Sequence, residues 1–139
     1  MDQNKLTGTL PGNLGVLPDV EYISLNDNKL SGSIATIMGK LDDSTYLPLN
    51  NNDLVGSIPS EMGTCFRMIS LHLEGNQLTG EIPTELGKLD QMTTLRLETN
   101  NFNGVTIPSQ VCSLTGDDLT LLSADCKEKV TCACCDECA

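Results

Sequence analysis

Leu71-His72-Leu73-Glu74-Gly75-Asn76-Gln77-Leu78-Thr79-Gly80-Glu81-Ile82-Pro83 is the stretch whose reading decides the fold. It has the form L-x-L-x-x-N-x-L-x-G-x-I-P, and its Asn belongs to a series. Asn4, Asn28, Asn52, Asn76 and Asn100 stand 24 residues apart without a slip. A fixed period between about 20 and 50 residues is the signature of stacked repeats. In L-x-L the leucines alternate with polar residues, so both point to one face of a short strand. The next copy lays its strand beside the first, parallel and in register, about 4.8 Å away. Each unit buries its leucines only against its neighbours, so no unit is stable alone. The Asn amide carries two donors and an acceptor. It is expected to bond backbone groups of its own turn and the adjacent one, each of which would cost about 1–3 kcal/mol if buried unpaired. The Gly four residues on permits a backbone conformation closed to other residues, and the Pro fixes φ where the outer return begins.

The copies differ in informative ways. The first starts in mid-repeat, with no strand before Asn4 and no polar cap over Leu6, Leu10, Leu14 and Leu17. An N-terminal part is therefore expected to be missing, since repeat arrays need atypical end units. The second has Ala35 in place of Pro. The third has Ser44 where an apolar residue is usual, and Pro48 inside a strand, where it removes a ladder donor and is read as a tolerated irregularity. Cys65 takes the place of Leu41 and Leu89 and is expected to be a buried free thiol. The fifth copy gains one residue at Val105-Thr106, and two more enter around Gly116-Asp117-Asp118.

The 139 residues suit one domain, with no Trp and few aromatics, so Leu, Ile, Val and Met must fill the core. The formal net charge of -11 repels phosphate backbones and anionic membranes, which excludes nucleic acid as a partner. No apolar run approaches the roughly 20 residues of a membrane span. Met1-Asp2-Gln3-Asn4-Lys5 is polar and is no signal peptide. Five of the seven cysteines crowd the last fourteen residues. With Cys112, the tail residues Cys126, Cys132, Cys134, Cys135 and Cys138 are the disulfide candidates, in preference to a thiolate metal site. That density points to an extracellular or cell-surface setting, with the signal or anchor in the missing N-terminal region. No N-x-S/T glycosylation acceptor is present.

These residues carry a resemblance. From about residue 4 to 114 the motif resembles the leucine-rich-repeat family in its plant-type form, L-x-G-x-I-P-x-x-L-G-x-L. The ending, Ala124-Asp125-Cys126 followed by Cys132-x-Cys134-Cys135-x-x-Cys138, is similar to the cysteine-rich caps of algal, diatom-like members. The resemblance implies an α/β leucine-rich-repeat solenoid, a right-handed horseshoe with little true α-helix. A parallel β-sheet would line its concave face, with 3-10 and irregular segments on the convex face. Repeats would occupy residues 1–125 and the cap 126–139. Ligands of such proteins are usually proteins, peptides or glycans. Plant-type repeats also occur in receptor ectodomains and in secreted inhibitors of pectin-degrading enzymes.

Register assigns every residue between the core leucines to a column on the concave face. One column is Tyr22, Tyr46, Ser70, Thr94 and Leu121; the next is Ser24, Pro48, His72, Arg96 and Ser123. A third is Asn26, Asn50, Glu74, Glu98 and Asp125, with Asp27, Asn51, Gly75 and Thr99 beside it. This places a Tyr pair near one end and a carboxylate strip toward the other. A concave array with Tyr anchors is a natural binding surface, so Tyr22, Ser24, Asn26, Tyr46, Asn50, Ser70, His72, Glu74, Thr94, Arg96 and Glu98 are the expected partner-binding residues. A base and acid from His72, Glu74, Arg96 and Glu98 would lack a nucleophile, an oxyanion donor and shelter from water. Glu74, Glu98 and Asp125 offer oxygens to a hard cation only weakly. The expectation is a non-enzymatic module without cofactor or metal, binding a protein, a peptide or a glycan. The alternative is a structural or adhesive wall component that uses the repeats as a spacer, with surface adsorption to ice more remote. Oligomeric state is left open.

Overall fold

A computed structural model describes residues 5–17, 20–102, 105–116, 119–125, 130–131, 134–135 and 137–138. Asn4, Cys126, Cys132 and the Cys138 side chain lie outside that description. In chain order the strands are β1 (Thr7–Thr9), β2 (Lys29–Ser33), β3 (Tyr46–Pro48), β4 (Asp53–Gly56), β5 (Ser70–His72) and β6 (Gln77–Leu78). Then follow β7 (Thr94–Arg96), β8 (Val105–Thr106), β9 (Leu121–Ala124), β10 (Val130–Thr131) and β11 (Glu137–Cys138). Between them run 3-10 turns at Leu14–Val16, Thr36–Lys40, Ser60–Thr64, Thr84–Lys88 and Ser113–Gly116, and one short α-helical turn at Ser109–Cys112.

The fold is the expected solenoid. The concave sheet is parallel, in the order β11-β9-β7-β5-β3. Its register pairs Tyr46 with Ser70, Ser70 with Thr94, and Thr94 with Leu121. The alternating leucines Leu47, Leu49, Leu71, Leu73, Leu95 and Leu97 are buried behind it, continuous with Met62, Met68, Leu86 and Met92 from the returning segments. Phe102 fills the Leu54 and Leu78 position and is buried like them.

A second sheet was not foreseen. The arms after each Asn pair as β1-β2-β4-β6, also parallel, and β8 pairs with β10. The L-x-G-x segments that form it show no hydrophobic alternation beyond one leucine, so nothing in their pattern marks them as strands. The tail adds a strand to each side: β10 lies on β8 and β11 on β9.

The Asn side chains stitch the coils. Asn76 Oδ1 accepts the Leu54 N–H at 3.1 Å, while its Nδ2 donates to Leu49 and Leu73 carbonyls at 3.0 Å. Asn52 does the same with Leu30, Leu25 and Leu49, and Asn100 with Leu78, Leu73 and Leu97. Asn28 Oδ1 accepts the Leu6 N–H. Just before each Asn the chain passes through a left-handed residue, Asp27, Asn51, Gly75 or Thr99, at φ between 54° and 67°. On the outer side the coils touch backbone to backbone. A β-carbon at Gly63 would stand 2.4 Å from the Glu85 carbonyl oxygen, closer than real β-carbons come.

Two irregularities acquire a physical account. Pro48 sits within β3, which pairs in register with β5. Its carbonyl accepts the Leu25 N–H from the preceding coil, so its missing N–H faces that same coil. On that side no regular strand forms beyond the Tyr22–Tyr46 bridge, although the Ile23 and Asp27 N–H groups still bond the Tyr46 and Asn50 carbonyls. Ser44 is fully buried, and its Oγ has no hydrogen-bond partner. Cys65 is fully buried and free, its Sγ directed at the Met38 carbonyl oxygen at 3.4 Å.

Candidate binding face

Three adjacent coils place an aromatic ladder on the concave face. The Tyr22 and Tyr46 rings stack with centroids 5.5 Å apart and planes inclined at 26°. Tyr46 meets His72 edge-on at 5.3 Å. Such pairs add roughly 0.5–1.5 kcal/mol beyond the area they bury. Tyr22 is 59% exposed and ends the ladder in solvent. His72 Nε2 and Ser70 Oγ share a hydrogen bond at 2.9 Å. Burial, and secondarily the charge of Arg96, hold the imidazole below its ordinary pKa, so it is neutral at pH 7.

Below the ladder the polar residues close on one another. Ser24 Oγ donates to Asn26 Oδ1, and Asn26 and Asn51 each donate a side-chain N–H to the Asp27 carboxylate. Arg96 donates through Nε and Nη2 to Glu98 Oε1, and Ser123 Oγ donates to Glu98 Oε2. Burial opposes ionisation of Glu98, yet the hydrogen bonds from Ser123, the backbone and Arg96 outweigh it and bring its pKa below the usual carboxylate value. Arg96 Nη1 reaches Glu74 Oε1 at 3.4 Å, a looser contact. Burial therefore dominates at Glu74 and pushes its carboxyl pKa up. Asp125 Oδ2 accepts the Asn100 N–H at 3.0 Å.

The expected contact residues thus share one face but not one exposure. Tyr22 is exposed; Asn26, Tyr46, Asn50, His72, Thr94 and Arg96 are half-buried; Ser24, Ser70, Glu74 and Glu98 are buried. Facing away from the leucine core does not leave a side chain in water here. Strands about 4.8 Å apart let polar side chains of adjacent coils lie down on each other and pair. Ser123, not among the expected contacts, proves to be the partner of Glu98. Its column position was legible, but its reach to a carboxylate one coil away needed side-chain geometry. The Arg96 guanidinium is shared by the Glu98 and Glu74 carboxylates, while His72 pairs with Ser70 instead.

At the tail, Cys112 and Cys134 form a disulfide, and Cys135 is also disulfide-bonded. No described helix is long and apolar enough to cross a membrane.

The Leucine Rich Repeat family pattern matches residues 67–89. No curated protein matches the chain in sequence. Among solved structures, the BIR3–SERK2 complex from Arabidopsis thaliana is similar at 31% identity and TM-score 0.72, over 98% of this chain and 71% of that one. The Arabidopsis receptor kinase HAESA, in complex with the peptide hormone IDA and the co-receptor SERK1, is similar at 28% identity and TM-score 0.80, over 95% and 21%. A plant ice-binding protein is similar at 25% identity and TM-score 0.69, over 95% and 48%. The chain spans about a fifth of the length of the first receptor structures it matches.

Proposed function

Because the chain belongs to the leucine-rich-repeat proteins, we propose that it is a non-enzymatic binding module of a cell-surface or secreted protein, receptor-ectodomain-like or inhibitor-like, whose concave face engages a protein or peptide. The observation that carries this reading is the Tyr22–Tyr46–His72 ladder spanning three coils, flanked by the Glu74–Arg96–Glu98 network. Tyr offers a large, rigid contact area with a polar tip, and such residues dominate binding energy where they anchor. The similarity to HAESA, whose structure holds a peptide hormone and a co-receptor, supports a peptide or protein partner; a glycan has no comparable support. The disulfide Cys112–Cys134 supports an oxidising, extracellular setting. Residues 126–139 are read as a C-terminal cap like that of the algal members, a reading supported by the pairing of β10 with β8 and of β11 with β9.

The test is a pull-down from secreted and cell-surface proteins together with panning of a displayed random-peptide library. The wild-type chain is compared with the Tyr22→Ala, Tyr46→Ala, Glu74→Lys triple variant. Loss of the captured partner in the folded variant is expected. Unchanged capture moves the footprint off this face, and absence of any saturable partner favours the spacer role.

A further inference from the structure

Resting on that reading of the concave face, we infer that Glu74 is the point where the partner is recognised, and that the partner presents a cationic side chain, Arg or Lys, beside the aromatic ladder. The carboxylates of the face are not equivalent. Both Asp27 oxygens accept side-chain N–H groups, and both Glu98 oxygens are bonded, to Arg96 and Ser123. Asp125 accepts the Asn100 N–H. Glu74 is nine-tenths buried, yet its Oε2 has no hydrogen-bond partner, one of two such buried side-chain atoms among the described residues. The other, Ser44 Oγ, lies off the face, behind the sheet.

A buried carboxylate oxygen without a donor is costly to keep. Arg96 serves the two acids unequally: its Nε and Nη2 donate to Glu98, while Nη1 lies 3.4 Å from Glu74 Oε1. The two acids and one guanidinium leave the network one negative charge in excess. An incoming guanidinium or ammonium supplies the missing charge and the missing donors together, and charge-assisted bonds of this kind are the strong ones. Oε2 is closed to bulk water, so its missing donor has to come from a group that packs onto this face. Tyr46 and His72 stand on the strands β3 and β5 beside it, and an aromatic face within about 6 Å adds cation–π attraction. The formal charge of -11 draws cationic segments toward the chain before any contact forms.

The experiment titrates the isotope-labelled chain with Nα-acetyl-arginine amide and, separately, Nα-acetyl-glutamine amide at physiological salt, followed by NMR. The expected result is saturable shifts at Tyr46, His72 and Glu74, with the cationic probe bound about tenfold more tightly. In Glu74→Gln the preference collapses to near unity while the neutral probe is unaffected. Tyr46→Leu, a second variant whose fold does not depend on the carboxylate, weakens the cationic probe more than the neutral one. Equal binding of both probes at these residues overturns the role of Glu74 and leaves the face as the binding surface. A cation preference that survives Glu74→Gln, with shifts scattered over the acidic surface, reports net charge alone and also overturns it. Shifts by both probes confined to another surface count against the concave face itself.

Discussion

Asn76→Ala is the sharpest perturbation of the scaffold. Asn76 is 7% exposed and makes three short bonds: Oδ1 accepts the Leu54 N–H, and Nδ2 donates to the Leu49 and Leu73 carbonyls. The bonds are not equal losses. Leu49 O keeps a donor from Asn52 Nδ2 at 3.1 Å, and Leu73 O keeps one from Asn100 Nδ2 at 2.9 Å. The Leu54 N–H has no such reserve, and orphaning it costs about 1–3 kcal/mol. Each lost bond to a carbonyl adds about 0.5–1.5 kcal/mol. The sum is about 2–6 kcal/mol, a large share of the roughly 5–15 kcal/mol that a domain has. Urea unfolding followed by circular dichroism measures it, with the exposed Gln77→Ala as control. Because coils of an array can open separately, exchange of the Leu54 amide is read alongside and should lose protection first. Asn76→Asp sharpens the point. It keeps the acceptor but sets a carboxylate oxygen against two carbonyls, so it should be no better than Ala at pH 7 and recover partly below about pH 4, once protonated. An Asn76→Ala change within about 0.5 kcal/mol of the control, with Leu54 protection intact, refutes the reasoning.

Gly63→Ala should destabilise by about 1–3 kcal/mol or more, because the new carbon meets the Glu85 backbone oxygen and no side chain can yield; the same change at exposed Gly12, where nothing lies within 4 Å, should be near neutral in the same urea assay. Cys65 should resist a thiol reagent in the folded chain and react on unfolding, since it is fully buried. Burial pushes its thiol from 9.0 up to about 11. The unfolded chain therefore ionises first, so the contribution is intact below about pH 9 and is lost as pH rises toward about 11, by roughly 2–3 kcal/mol; Cys65→Ala should flatten this part of the stability–pH curve. Removing the Cys112–Cys134 link by the double Ser variant frees a loop of sequence separation 22 and should cost about 3 kcal/mol in the chain-entropy account, read as a lowered midpoint by calorimetry.

Period and alternation were enough to read the solenoid, because a parallel stack in strict register leaves no freedom once its repeat is known. The same argument placed Asn28, Asn52, Asn76 and Asn100 at the coil junctions, put Cys65 inside, and assigned Tyr22 and Tyr46 to one column. The Pro48 irregularity was also visible, though not that its missing donor would face the preceding coil, where no regular strand forms beyond the Tyr22–Tyr46 bridge.

What the amino-acid order determined by itself is everything that follows from one dimension: period, face, column and the residue types in each. What only the tertiary structure decided is how side chains and backbone arms use the short distance between coils. The second sheet arises from backbone pairing, to which side-chain pattern is blind. The pairing of Cys112 with Cys134 depends on where the tail returns. The same holds on the concave face, where Glu74 and Glu98 occupy equivalent positions. Ser123 and Arg96 satisfy one, and an oxygen of the other is left without a donor. Position in a repeat is inherited from the period, but hydrogen-bond satisfaction depends on what each neighbouring coil places within about 3 Å.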